Sequence, residues 1–431
     1  MLRRSSLPVT RSPCDRLTLL KTSLLNAIAV AVRMLTLLGI NKVLAIYVGP
    51  AGYAAFGQFQ NVVQMISTLA NGAINTGVTK YTAEYQDDEY QQRRVWQTAG
   101  TMALFVALIL SALVFLFREQ LAIRFLRDAS LITVFEWFAA TLVLFVFNTL
   151  LLAILNGKKD IHRYVLANIA GSLSALFVTV MMVVYFGLLG ALIALVAYQS
   201  IAFFVTLLLC LKTEWFRWDA MIGPVDGKVA KNLAKYAVMA LTSSITVPMS
   251  QILIRDHIGQ TLGMDAAGHW EAMWRLSGAY LMLFTSILSV YYLPRLSELK
   301  KRQDLRGEIF RGYILILPVA ILTTVLIYFF RNKIILFLFS LDFLGMRDLF
   351  FWQLIGDLFK IASWFLAYVM IAKTMTFIYI VTEIFFAILI YQFIKFSIPF
   401  WGLEAAAISH AATYFIYLIC VYIIIKKNKL I

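Results

Sequence analysis

The sequence predicts an all-α polytopic membrane protein with about twelve transmembrane helices, arranged as two pseudo-symmetric six-helix lobes around a central cavity. Composition is the first ground for this. Of 431 residues, 61% are hydrophobic and 14% charged, with a mean hydropathy of +0.81; a soluble domain carries about 45–50% apolar and about 25% charged residues. The apolar runs are the second ground. They are about twenty residues long, the length a helix rising about 1.5 Å per residue needs to cross about 30 Å of hydrocarbon. Barrel strands would be about half as long and would alternate. The third ground is an internal repeat. GPAGYAAF at 49–56 resembles AAGHWEAM at 266–273, and VTKYTAEY at 78–85 resembles YLPRLSEL at 292–299, each pair offset by half the chain. Six spans per half send both halves into the membrane from the same side, as parallel repeats about an axis along the membrane normal.

Twelve segments reach spanning length: 22–46, 54–76, 98–117, 131–155, 164–185, 188–210, 236–254, 270–293, 313–330, 350–372, 375–395 and 402–425. Glu136 lies near the start of the fourth, and KIILFLF at 333–339 either extends the ninth or lies at the interface. The domain reading is a tail over 1–21, an N-lobe over 22–210, a polar linker over 211–235 and a C-lobe over 236–431. With cytoplasmic termini, inside segments hold 26 of the 38 Lys and Arg, outside segments 8, and the spans four (Arg33, Lys42, Arg275, Lys360). That excess follows the positive-inside rule. It also accounts for most of the +15 net charge, which is therefore no sign of nucleic acid; that would require a soluble basic face. The leader MLRRSSLPVTRSPCDR reads as a cytoplasmic tail, or as a start placed too early, because the apolar run behind it is too long for a cleavable signal.

Charges inside the spans are the candidate functional groups. A charge at mid-bilayer costs at least about 2.5–3.5 kcal/mol on insertion scales, so each is expected to face protein or a water-filled path. Arg33 lies about 14 Å into its span at about 1.5 Å per residue, too deep to snorkel easily, and is the first candidate for a substrate anion. Lys42 lies near the outer end and can reach the interface. Glu271 and Arg275 are spaced i,i+4 and Asp357 and Lys360 i,i+3, so each pair could neutralise itself on one helix or contact ligand directly. Glu383 is the candidate titratable group, since burial raises a carboxyl pKa. His410 reads as a helix-packing residue rather than a relay.

Polar stripes point the same way. Asn61, Gln64, Thr68, Asn71 and Asn75 recur at three- and four-residue spacing, on one face of a helix. The eighth span carries Glu271, Arg275, Gly278, Thr285 and Ser289, the seventh Ser244, Pro248, Gln251 and Arg255, and the tenth Gln353, Asp357 and Lys360. Such a stripe either hydrogen-bonds helices together, at about 0.6 kcal/mol per bond, or lines a cavity. The substrate-binding candidates are Arg33, Arg275, Lys360, Arg255, Asn61, Gln64, Asn71 and Asn75, with Glu271, Asp357 and Glu383 as coupling or ion-pair groups. Catalytic residues, metal ligands and cofactors are not expected. Cys14, Cys210 and Cys420 suggest no disulfide framework, and no P-loop motif occurs.

The motifs GPAGYAAFGQF, TGVTKYTAEY, VYYLPRLSEL and MRDLFFWQLIGDLFK, with IAK at 371–373, resemble the lipid III and O-antigen flippases. These are Wzx-type transporters of the multidrug/oligosaccharidyl-lipid/polysaccharide exporter superfamily, and the likeness is strongest to the branch serving enterobacterial common antigen. It runs in order from about Leu20 to the end. The resemblance implies twelve helices in two lobes in the bacterial inner membrane. It also implies an undecaprenyl-diphosphate-linked oligosaccharide moved between leaflets by alternating access, with membrane lipids and the polymerase and chain-length proteins of the same glycan pathway as partners. A cation-coupled drug exporter of the same fold is the nearest alternative and would want more acidic residues in its cavity. A glycan polymerase or ligase would need a sizeable outer loop, and the predicted outer loops are about twenty residues or fewer.

Overall fold

The computed structural model describes residues 13–72, 74–299 and 301–428. Residues 1–12 of the predicted tail and the side chain of Cys14 lie outside that description; Cys210 and Cys420 are free thiols. The described residues are helical, with no strand. Helices α1 (Pro13–Tyr47), α2 (Gly49–Ala70), α3 (Asn75–Glu84), α4 (Glu89–Leu116), α5 (Arg118–Leu121), α6 (Ile132–Gly157) and α7 (Ile161–Leu211) form the N-lobe. After the short α8 (Trp218–Met221), the C-lobe follows: α9 (Gly227–Leu262), α10 (Met264–Ile287), α11 (Leu293–Glu298), α12 (Arg302–Leu338), α13 (Phe350–Ala372), α14 (Thr376–Trp401) and α15 (Glu404–Lys427). Helix α7 is two spans, 161–186 and 188–211, broken at Gly187. Both lobes thus contribute six crossings. Helix α12 runs unbroken to Leu338, so all but the last residue of KIILFLF extends the ninth span.

Eight of these helices, counting α7 once, are long and apolar enough to cross a membrane by length and composition alone. Helices α2, α9 and α10 are not among them, and they carry most of the polar stripe residues. Burial against other helices, rather than contact with lipid, makes their polar content tolerable.

Local chemistry fixes the helix starts. Asp88 caps α4 through the Gln91 amide, Asp160 caps α7 through the Arg163 amide, and Asp226 caps α9 through the amides of Lys228 and Val229. Each carboxylate satisfies donors that the first helical turn leaves free. The Asp226 cap starts α9 well before the predicted span, so the last part of the 211–235 stretch is helix; the extended part before it folds back on α4 through α8.

The repeat is visible in the backbone. Helix starts in the two lobes fall 215 residues apart (Gly49 and Met264), 213 apart (Glu89 and Arg302), 218 apart (Ile132 and Phe350) and 215 apart (Ile161 and Thr376). Positive φ recurs with the same offset, at Lys159 (59°) and Thr374 (56°) and at Gly187 (54°) and Gly402 (53°). The last two share a conformation open essentially only to glycine, and each turns the fifth helix of its lobe into the sixth.

We call the face at which α15 ends the terminal face and the other the distal face. Toward the distal face the lobes are bonded together. Lys42 donates to the carbonyls of Leu336 (2.8 Å) and Phe339 at the end of α12. The Ala51 amide donates to Asp265 Oδ1 at 3.1 Å, Arg127 pairs with Asp256, and the ring of Tyr53 meets Phe339 and Phe343 edge-on. Lys42 therefore caps a helix of the other lobe instead of reaching the interface: the unpaired carbonyls at the end of α12 attract a cation.

Candidate functional site

Each lobe encloses a cavity, and the two are built from equivalent helices. The N-lobe cavity, about 290 Å³, is lined from α1, α2, α6 and both halves of α7, and Arg275 of α10 closes it. Its polar groups include Arg33, Asn41, Gln60, Asn168, Ser172 and Gln199. No carboxylate lines it among the described residues. Asn148 donates to Gln199 Oε1 at 3.0 Å, and Gln199 donates in turn to the Tyr198 hydroxyl at 2.9 Å. Arg33 is exposed into this space and makes no ion pair with any described residue.

Arg275 belongs to a buried network at the lobe boundary. Glu271, 3% exposed, accepts from Arg275 Nε at 2.6 Å and from Arg255 Nε at 3.1 Å. Arg255, 1% exposed, also donates to Gln58 Oε1 at 2.7 Å, and Arg275 reaches Gln60 and Asn41. One carboxylate between two guanidinium groups leaves the network with a net positive charge. Gly57 makes room for it: a Cβ there would overlap the Glu271 carboxylate. The expected Glu271–Arg275 pair is therefore present. Arg255 spends its donors inside the network, away from either cavity.

The C-lobe cavity, about 320 Å³, is lined from α9, α10, α13, α14 and α15. The Lys360 ammonium projects into it over three rings, 4.9 Å from the centroids of Trp274 and Tyr414 and 5.4 Å from Trp364. Such a cage stabilises a desolvated cation by about 2 kcal/mol. Gln251, Tyr379, Glu383 and Thr413 share the lining, and the buried Thr413 hydroxyl has no hydrogen-bond partner among the described residues.

Behind Lys360 lies Asp357, fully buried, but it does not pair with Lys360 as the spacing suggested. Its Oδ2 accepts from Ser277 Oγ at 2.7 Å and from the Tyr280 hydroxyl, and its Oδ1 lies 3.0 Å from His410 Nε2. The aromatic rings draw the lysine to the cavity side, and Gly356 lets α15 approach closely enough for His410 to take its place; a Cβ at 356 would meet the imidazole. His410 is thus a partner of the buried acid rather than a packing residue.

The stripe on α2 divides. Asn61 donates across the lobes to Gln251 Oε1 at 3.0 Å, Gln64 is exposed, and Thr68 bonds its own helix. Asn71 accepts from Thr149 at 2.9 Å inside the N-lobe, and Asn75 begins α3 beyond the break. The α2 residues that line the N-lobe cavity are Phe56 and Gln60. Glu136 pairs with Arg118 at 3.0 Å. The sequence reading missed Asn41, Gln60, Asn168 and Gln199, since single amides carry no periodic signal. Trp364, one turn after Lys360, was a readable hint of the cage.

A family model for polysaccharide biosynthesis proteins matches residues 19–300, more than half of the chain. The chain belongs to the polysaccharide biosynthesis protein family. This family member is 29% identical over 401 residues to the lipid III flippases of Escherichia coli (strain K12) and Shigella flexneri, covering 93% of this chain and 96% of each relative. Its fold is similar to that of a multidrug resistance MATE family transporter of the MOP superfamily in its inward-facing conformation. There the TM-score is 0.76 at 14% identity, covering 92% of this chain and 94% of the other. The outward-facing conformation of such a transporter gives a TM-score of 0.67 at 15% identity, covering 95% and 94%. The polysaccharide biosynthesis protein family member is thus a multi-pass membrane protein with the two-lobed MOP transporter fold.

Proposed function

We propose that this chain is a flippase that carries an undecaprenyl-diphosphate-linked oligosaccharide, lipid III or an O-antigen unit, from the cytoplasmic to the periplasmic leaflet of the bacterial inner membrane. It is a transporter, not an enzyme. One observation supports the cargo most: the N-lobe cavity presents Arg33 and Arg275 and no carboxylate among the described residues. The net positive charge of the Arg255–Glu271–Arg275 network and the free charge of Arg33 together match the two negative charges of a diphosphate diester. Guanidinium forks bind phosphate through paired donors. The amides around them offer both donors and acceptors to sugar hydroxyls. A drug exporter for cations is disfavoured by the same lining.

The rest follows from the two lobes. With cytoplasmic termini, as the distribution of Lys and Arg favours, the bonded distal face is periplasmic and the cargo is loaded from the cytoplasmic side. Head group and glycan enter the cavity while the polyprenyl chain stays in lipid between the lobes. Breaking the distal bonds and closing the terminal side would then release the cargo outward. Glu383, and Asp357 with His410, are the groups available for coupling to an ion; equal rates with and without an imposed pH gradient in proteoliposomes would remove proton coupling. Polymerase and chain-length proteins of the same pathway are its expected partners.

The test uses Arg33→Ala. It is expected to insert and fold as the parent does, yet fail to rescue a strain lacking its own lipid III flippase and fail to move the lipid-linked glycan in proteoliposomes. Parental transport by that variant would overturn the assignment.

A further inference from the structure

On the outer side of the C-lobe, away from both central cavities, α12 and α15 stand apart across α13, which packs against both. They form the walls of a trough of about 940 Å³ at the terminal face, with Leu366 of α13 at its floor. Arg306 from the start of α12 and Lys426 from the end of α15 converge at its rim, where Arg302 also stands. Arg306 and Lys426 form no ion pair or side-chain hydrogen bond with any described residue. Deeper in the membrane the walls are apolar, with Ile309 and Phe310 facing Leu418 and Ile419. The wall continues into lipid-facing surface, since Phe310, Ile314 and Leu315 are 65%, 60% and 72% exposed.

The N-lobe supplies an internal comparison. At the helix-start offset of 213 between α4 and α12, Arg93 is the equivalent of Arg306. Arg93 is engaged by the linker: Asp219 pairs with it, and the adjoining Ala220 and Met221 are buried against the lobe. There the chain itself places an acid over the arginine and an apolar segment beneath. In the C-lobe the same arginine, joined by Lys426, faces an uncovered trough that opens on lipid.

We propose that this trough is a binding site for an anionic phospholipid of the surrounding bilayer, with its phosphate on Arg306 and Lys426 and an acyl chain along α12 and α15. Basic pockets between membrane helices at headgroup level take such lipids, because a cation near the surface adds affinity for anionic headgroups while the apolar wall replaces lipid contacts for the chain. The site is separate from the cargo cavities, so this inference stands whether or not the proposed cargo is right.

The test is native mass spectrometry of the full chain in detergent, titrated with phosphatidylglycerol and, separately, phosphatidylethanolamine. Phosphatidylglycerol is expected to be retained selectively. Arg306→Gln with Lys426→Gln should weaken it by about 25-fold, at about fivefold per cation removed. Arg311→Gln, which removes one charge from α12 outside the trough, should leave binding unchanged, against about a fivefold loss for Arg306→Gln alone. Leu418→Trp, which narrows the trough from its α15 wall with both cations intact, should also lower retention, and it serves if the double variant does not fold. Equal retention of the two lipids, or equal weakening by Arg311→Gln, would overturn the proposal. So would displacement by glycerol phosphate as readily as by the intact lipid. Displacement by undecaprenyl phosphate but not by added phosphatidylglycerol would also overturn it, by making the trough a cargo site.

Discussion

Glu271 illustrates how charge is kept inside this membrane protein. It lies between Arg255 and Arg275, and its two oxygens divide between them. Removing its charge leaves Arg255 buried without compensation, a change that costs about 3–5 kcal/mol. Glu271→Gln is therefore expected to lower the melting temperature in detergent markedly. Asp256→Asn, which breaks the partly exposed pair with Arg127, should cost about 1 kcal/mol or less. Comparable losses in both variants would contradict the account. Residue spacing revealed half of this network. Arg275 lies one turn from Glu271 and was readable; Arg255 is on another helix and was not. For Asp357 the spacing pointed to Lys360, but the bond goes to His410, 53 residues away. An i,i+3 pair only permits contact, and here three rings outcompete the carboxylate for the ammonium.

At the scale of elements, turns repeat more faithfully than side chains. Gly187 and Gly402 hold the same positive-φ conformation at the same place in their lobes, and no described residue stands within 4 Å of an added Cβ at either. Alanine at either position should thus cost backbone strain alone, about 1–3 kcal/mol, with similar melting-temperature losses for the two variants. A neutral result at one site would show that the turns are not equivalent. The linker adds a pH-dependent contact. Slight burial pulls the Asp219 carboxyl upward, but Arg217 and Arg93 outweigh it and hold the group below the usual carboxylate range. A depressed pKa stabilises the docked state above the unfolded-state value and loses that contribution as pH falls through the folded one. Docking of α8 on α4 should therefore persist from neutrality to about pH 4 and weaken only below it. Fluorescence anisotropy of a probe on Lys212→Cys should report the release, and Asp219→Asn should remove its pH dependence. Release near pH 6 would exclude Asp219 as the titrating group.

The whole molecule carries the proposed transport cycle, because the distal bonds join one lobe to the other. Cysteines replacing Ala51 and Asp265, whose amide and carboxylate are bonded now, are expected to cross-link under oxidation and stop translocation, with reductant restoring it. Full transport by the cross-linked form would mean that the distal face need not open.

The helical membrane class, the spans and the repeat were determined by the sequence itself. Each follows from local hydrophobicity and helical period, which a single chain displays without its partners. What only the tertiary structure decided is which polar face meets which. Most of the amides that join Arg33 come from α2, α6 and the two halves of α7, Lys360 finds two of its three rings on α10 and α15, and Lys42 caps a helix almost three hundred residues later. Those contacts depend on how the lobes are rotated and how closely their helices approach at Gly57 and Gly356. Periodicity along one helix holds no information about that packing.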